Sequence, residues 1–193
     1  MSPSTGNLEL SQVVVVDIDD NELGTMNKAE VHADPGFLHR AVSLCIFDEL
    51  GRVLLQQRQA EKYHFALRWS NACCTHPLPG EPSQEAVRRS ARDELGVALV
   101  TLEYCGSFIY RALDVHSHLV EWEFDHVFAG TIDEQPRPNS DEVAEIRWCT
   151  LGESVVVEID QEAQTPWLMP VLGVFTHWKA GSTDWSPPLE QSD

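Results

Sequence analysis

The stretch Glu81-Pro-Ser-Gln-Glu-Ala-Val-Arg-Arg-Ser-Ala-Arg-Asp-Glu-Leu-Gly-Val97 is the most strongly patterned part of the chain. Val87, Ala91 and Leu95 recur at i, i+4 as one apolar stripe, and Glu85, Arg88, Arg89, Arg92, Asp93 and Glu94 occupy the remaining surface. That is the pattern of an amphipathic helix. Pro82 and Ser83 suit its start and Gly96 its end, so the spacing predicts a helix over 83–95. Taken alone, its charged face is an ordinary solvated one with Glu/Arg pairs at i, i+4.

Strand-like runs lie on both sides of this helix. Residues 13–17, 41–47 and 53–58 are apolar or β-branched, the last two joined by the hairpin link Asp48-Glu-Leu-Gly51. Residues 69–74 read as one short extended segment, and 97–102, 107–113, 120–129 and 145–150 as further strands. Residues 24–33 are polar with little periodicity, and Asp34-Pro35-Gly36 is a turn signal. Residues 165–180 read as a terminal helix that Pro170 kinks or interrupts. Strands before and after one strong helix imply an α/β fold of the α+β kind, a mixed sheet with helices packed on it. The length of 193 residues fits one domain over 12–180. A loose segment, 1–11, precedes it, and a Ser/Pro/acid-rich tail, 181–193, follows.

Lys plus Arg number 13 and Asp plus Glu 31, a net charge of −18. This balance argues against a nucleic acid or an anionic membrane surface as partner, because phosphates would be repelled. A small anionic ligand stays compatible where basic residues or metal ions are concentrated locally. No apolar run nears the roughly 18 residues of a membrane span, and the first ten residues lack the features of a secretory signal. Five cysteines, an odd number with no C-x-x-C pair, give no redox motif and no zinc knuckle. The expectation is a cytoplasmic protein with free thiols.

Three groups of residues are candidates for chemistry. Glu121 and Glu123 sit two apart in a predicted strand and so share a face. Two adjacent carboxylates repel unless a cation lies between them or one is protonated; the plain alternative is the solvated face of an edge strand. His32 and His39 flank the Asp34-Pro35-Gly36 turn, which folds the chain back, and His76 lies two residues beyond Cys74. Three imidazoles with two carboxylates would suit Mn, Fe, Zn or Mg. Cys73 and Cys74 point to opposite faces of an extended segment, so one can be core and the other can face a pocket, where Arg58, Lys62, His76 and Arg89 would supply a positive surrounding.

The ending Arg89-Ser-Ala-Arg-Asp-Glu-Leu-Gly-Val97 resembles a degenerate Nudix box, G-x5-E-x7-R-E-U-x-E-E-x-G-U with U aliphatic. Glu81, Arg89, Ala91, Glu94, Gly96 and Val97 match; Thr75 stands for the first Gly, and Ser90 and Asp93 replace two Glu. The wider chain, from about residue 24 to 167, resembles type-I isopentenyl-diphosphate isomerases. The motifs are Gly24-Thr25-x-x-Lys28, His32-Ala-Asp34 with His39, Trp69-x-Asn71-x-x-Cys74-x-His76-Pro77, Tyr110-Arg111, Glu121-x-Glu123 and Thr165-Pro166-Trp167.

The resemblance implies a Nudix-type mixed sheet sandwiched by helices and a shift of a double bond from isopentenyl to dimethylallyl diphosphate. It implies that His32, His39, His76, Glu121 and Glu123 ligate a divalent metal, Mn2+, Zn2+ or Mg2+, while Glu94 helps place Mg2+ on the diphosphate. Cys74 and Glu123 match the catalytic pair, and Tyr110 a phenol beside the carboxylate. Lys28, Arg58, Lys62 and Arg89 match the basic residues facing the diphosphate, and Trp167 an aromatic wall whose other reading is a core aromatic. His116 and His118 are read as loop residues. Thr75, commonly Gly in the family, questions the turn beside Cys74.

Such a reaction adds a proton at one carbon and removes another two carbons away. Protonated Glu123 with Tyr110, or Tyr110 itself with Glu123 only polarising it, is the expected acid, the Cys74 thiolate the expected base, and turnover should depend steeply on Mg2+. The expected partner is a small diphosphate, with the protein a monomer or weak homo-oligomer. The alternatives are a Nudix-type diphosphate hydrolase, disfavoured by Ser90 and Asp93, and a catalytically silent metal-binding sensor.

Overall fold

In the computed structural model, which describes residues 11–151 and 159–182, the chain runs β1 (Gln12–Val16), β2 (Glu22–Asn27), α1 (Lys28–His32), β3 (His39–Ile46), β4 (Arg52–Arg58), β5 (Trp69–Asn71) and β6 (Cys73–Thr75). Then follow α2 (Ser83–Leu95), β7 (Thr101–Asp114), β8 (Leu119–Thr131), β9 (Val143–Thr150) and α3 (Leu168–Lys179). The larger sheet has the order β2-β1-β3-β8-β7, with β6 paired to β3; a smaller one has the order β5-β4-β9. β3 and β8 are parallel and the other pairs antiparallel.

The expected stripe of α2 is buried: Val87, Ala91 and Leu95, with Ala86, pack on Val42, Leu44 and Ile46 of β3, Leu54 of β4 and Phe128 of β8. On the other side, Leu168, Val171, Leu172 and Phe175 of α3 cover Cys45, Val53, Phe108 and Val127. Each such side chain contributes roughly 1.5–3 kcal/mol when fully buried. Helices thus sandwich the strands, but over two sheets rather than one. The expected single segment 69–74 is the cause: the chain passes from β5 in one sheet to β6 in the other at Ala72, which is fully buried. An apolar run of strand length does not say which sheet it joins.

Gly96 ends α2 at φ 65°, and a Cβ there would lie 2.9 Å from the Arg137 carbonyl oxygen. Pro170 does not kink α3, because as its third residue it lacks an N–H that would have no helical partner anyway. The stretch 24–33, read as featureless, forms most of β2 and all of α1. β2 is a half-exposed edge strand and α1 a five-residue helix, so neither has a periodicity to read. Of the strand expected at 97–102, residues 97–100 are not extended; its last two residues and the strand expected at 107–113 belong to one strand, β7, with an irregularity between Tyr104 and Gly106. Most of the expected loose ends, residues 1–10 and 183–193, lies outside the described residues.

Candidate active site and metal centre

Strand register assembles the site. On β8, Glu123 is level with His39 of β3 on one side and with Tyr110 of β7 on the other. The alternation along β8 turns Glu121, Glu123 and Asp125 inward, all of them buried. The edge-strand reading of the two glutamates therefore fails: β8 is an interior strand. Tyr110 donates its phenolic proton to Glu123 Oε2 at 2.6 Å. Burial and the Glu123 charge push the Tyr110 hydroxyl well above its usual range. Burial and Glu121 work against the Glu123 carboxylate, yet the neighbouring His39 and His76 hold it below its usual range.

His32 ends α1, and the turn through the cis Asp34–Pro35 bond and Gly36 returns the chain so that His39 opens β3. Gly36 is required there: its φ is 81°, and a Cβ would come within 2.8 Å of Val120. One ligand atom from each of His32, His39, His76, Glu121 and Glu123 lies within 4.8 Å of all the others. His32 Nδ1 donates to the Lys28 carbonyl at 2.6 Å and His39 Nδ1 to the Phe37 carbonyl at 2.8 Å. Both Nε2 lone pairs then point into the cluster. There, His32 Nε2 is 3.1 Å from Glu121 Oε2, and His39 Nε2 is 3.1 Å from His76 Nε2. Buried lone pairs converge this closely without penalty when a cation lies among them. Three imidazole nitrogens and two carboxylates fit a divalent ion. Burial lowers His76 to about 3, helped by the Lys28 charge. In His32 burial is outweighed by Glu121, and its pKa rises.

Cys73 and Cys74 divide as expected. Cys73 is buried under α2, while Cys74 lies level with Ser43 of β3 and lines the central cavity. Cys74 Sγ donates to Asn71 Oδ1 at 2.9 Å and lies 3.1 Å from Ser43 Oγ. The Asn71 amide nitrogen donates to the carbonyls of Leu44 and Cys73, so its oxygen must face the thiol. Ser43 in turn donates to Asp125 Oδ2 at 2.7 Å. Burial, followed by the Asp125 and Glu123 charges, pushes the Cys74 thiol far up. The thiolate expected as base is therefore not the resting form. Thr75 keeps ordinary strand geometry, level with Val42, so the replacement of Gly distorts nothing there.

Cys74, Tyr110, Glu121, Glu123, Glu94 and Trp167 line one cavity of about 710 Å3, together with Lys28, Arg58, Lys62 and Arg89. Lys28 lies 5.5 Å from the Tyr63 ring centre, and burial lowers its pKa. Arg58 donates to the His64 and Phe65 carbonyls and lies 5.5 Å from the Trp167 ring. Lys62 pairs with Glu142. Arg89 forms a fork with Glu81 and donates to the His76 carbonyl, so in this structure it is a loop clamp. Glu94 accepts from Gln56 Nε2 at 2.9 Å and Ser90 Oγ at 2.5 Å while facing the cavity. Trp167 is core and wall at once: it is buried, donates to Ser70 Oγ at 2.9 Å, and lines the cavity. His116 and His118 lie outside the five-residue cluster.

Sequence reading missed Ser43, His64 and Asp125. Asp125 continues the period-2 row of Glu121 and Glu123, so a signal existed. His64, whose Nε2 contacts Glu121 Oε1, is a single histidine in an irregular run and carries no periodic signal.

A family described as NUDIX domain matches residues 37–169. An isopentenyl-diphosphate Delta-isomerase of Nocardia farcinica is 46% identical over 163 residues, 84% of this chain and 93% of that protein. Isopentenyl-diphosphate Delta-isomerase 1 of Aromatoleum aromaticum is 48% identical over 141 residues, 73% of this chain and 78% of that one. Among solved structures, a MutT protein from Methanosarcina mazei aligns with a TM-score of 0.59 at 18% identity, covering 75% of this chain and 94% of that one. That likeness speaks to the fold.

Proposed function

The chain belongs to the Nudix family and, within it, to the isopentenyl-diphosphate Delta-isomerases, and from that premise we propose how its residues divide the work. The protein is an isomerase converting isopentenyl diphosphate to dimethylallyl diphosphate. The observation that carries the assignment of residues is that Cys74 and the Tyr110–Glu123 pair open into one cavity, with Lys28, Arg58 and Lys62 on its wall.

Lys28, Arg58 and Lys62 hold the diphosphate, Lys62 exchanging Glu142 for it. Trp167 and Tyr110 enclose the hydrocarbon end. The Tyr110–Glu123 side delivers a proton to the terminal carbon; the π electrons form the new C–H bond and leave a tertiary cation. Cys74, as thiolate, removes a proton two carbons away, and the released pair closes the new double bond. One proton is gained and one lost, so the substrate keeps its composition.

The resting pair, a Cys74 thiol and a Glu123 carboxylate, is a tautomer of the reacting pair. Either one, after giving its proton, leaves the same intermediate: one cation between a thiolate and a carboxylate. In a dry site that arrangement is strongly favourable. A divalent ion in the His32/His39/His76/Glu121/Glu123 cluster, Mn2+, Zn2+ or Mg2+, supplies charge that strengthens Glu123 as an acid, and Mg2+ at Glu94 supplies charge to the diphosphate.

Hydrolysis is the weaker reading because the second helix acid is absent: Ser90 is buried and spends its hydroxyl on Glu94. The net charge of −18 supports a role without nucleic acid. Among the described residues, no helix is long and apolar enough to cross a membrane; the thiols of Cys45, Cys73, Cys74 and Cys105, none of them in a disulfide, support a cytoplasmic setting. Incubation with Mg2+ and isopentenyl diphosphate in heavy water should give deuterated dimethylallyl diphosphate. Release of phosphate without exchange would favour hydrolysis instead.

A further inference from the structure

The segment between β4 and β5 holds a conformation that side-chain-bearing residues rarely adopt. Phe65 and Leu67 have φ of 46° and 60°, and such backbone persists only where its surroundings impose it. Three contacts do so. Arg58 donates to the carbonyls of His64 and Phe65 at 3.1 and 3.2 Å, and the Phe65 amide donates to Asp114 Oδ2 at 3.0 Å. The result is that His64, 6% exposed, is pressed against Glu121. Its Nε2 contacts Oε1, while Oε2 of the same carboxylate faces His32. The Tyr63 ring lies 4.1 Å from the His64 ring at 35° and backs it.

We propose that His64 is a positioning residue for the metal centre: its Nε2–H donates to Glu121 Oε1 and holds the carboxylate so that Oε2 alone is offered to the ion. His64 stands outside the five residues whose ligand atoms converge. Its other ring nitrogen, Nδ1, is buried with no hydrogen-bond partner. A proton there would be a stranded donor, so the tautomer with the proton on Nε2 is the less costly one.

The inference rests on the reading that the five-residue cluster holds a divalent ion, and the experiment separates the two. The full-length chain is stripped with a chelator, then titrated with Zn2+ or Co2+ against a competing chromophoric chelator. His64→Phe keeps the ring and its stacking; it should still bind one ion, about 10–100-fold more weakly. His64→Gln, which retains a donor, should recover most of that loss, and His64→Leu, which has no donor, carries the test if the Phe variant does not fold. The Co2+ absorption spectrum at saturation should match that of the parent, since no ligand is lost. An affinity within twofold of the parent for a donor-less variant, Phe or Leu, would overturn the proposal, as would an altered Co2+ band pattern, which would make His64 a ligand. A parent protein that binds no ion, or a His39→Ala variant that binds as tightly as the parent, would overturn the metal-centre reading itself.

Discussion

Replacing Arg89 with methionine separates two readings of one cation. By resemblance Arg89 faces the diphosphate. In the structure its Nε and Nη2 donate to the two Glu81 oxygens at 2.9 and 2.8 Å, and Nη2 donates to the His76 carbonyl at 3.1 Å. The segment between β6 and α2 is thereby tied to the helix. Methionine keeps the aliphatic stem and removes all three donations. A hydrogen bond to a charged group is worth about 1.5–3 kcal/mol when buried. The Arg89 side chain, however, is 29% exposed and that of Glu81 16%, and Glu81 Oε2 still accepts from the Leu78 amide.

Screened in this way, the whole fork contributes about 1–2 kcal/mol, which lowers Tm by about 2–8 °C for a chain of this size. The Arg89 fork holds the Glu81 carboxyl below its usual range. A group with a lowered folded pKa stabilises above its unfolded value and loses that contribution as pH falls through the folded one. The stability gap between parent and variant should therefore be full at about pH 7 and close below about pH 4. Thermal melts across that range, with steady-state kinetics at neutral pH, are the assay. The clamp predicts a lower Tm and a lower kcat through a displaced His76, with little change in KM. An unchanged Tm with KM raised several-fold would return Arg89 to the diphosphate and refute this reasoning.

Tyr110→Phe removes a 2.6 Å bond to a carboxylate while keeping the ring beside Phe108 and Trp167. A loss of about 1.5–3 kcal/mol corresponds to kcat lower by about 10–150-fold, and parent-like turnover would take Tyr110 off the proton path. Cys74→Ala should abolish turnover in the heavy-water assay while metal content and diphosphate affinity persist. Cys73→Ala should stay active but melt earlier, because that thiol packs under α2; the reverse pattern would mean the two cysteines had been interchanged. Trp167→Leu removes the ring against Arg58 and Phe65 and the donation to Ser70. A kcat loss larger than the melting change explains would identify a wall residue, whereas unchanged turnover would leave a core one.

What could be read without coordinates divides by the range of the physics involved. The α2 helix was legible because its stripe, its start and its Gly96 stop are all local. The inward row Glu121, Glu123, Asp125 was legible as a shared face, but not as an interior one, because burial depends on β3 and β7 closing over both edges of β8. The pairing of the two cysteines with different surroundings followed from strand alternation. The change of sheet at Ala72 did not, since it depends on the strands each half pairs with, β4 for β5 and β3 for β6. Arg89 shows a different limit: a motif position marks a cation, and only the third dimension shows that Glu81 pairs with it while it lines the cavity. His64 is placed by a backbone in the left-handed region at Phe65, held by Asp114, which ordinary residue types there do not announce.

The two walls of the cavity explain how a fold shared with hydrolases carries a different reaction. In the box that α2 resembles, helix carboxylates gather cations on the diphosphate. Here Ser90 stands at one of those positions, 2% exposed, donating to Glu94 at 2.5 Å. A second carboxylate at that depth, four residues from Glu94, would be a like-charge pair needing its own ion. The chain instead gathers its buried acids on β8, where three imidazoles rather than water surround them. On the reading proposed above, the ion of the five-residue cluster would be a second one, beside the buried acids of β8 and additional to the one at Glu94. An ion held by those five residues would act on Glu123, the carboxylate that accepts from Tyr110 and lines the same cavity as Cys74. A carboxyl–phenol pair and a thiol opening into one cavity are what an allylic shift requires and what diphosphate cleavage has no use for.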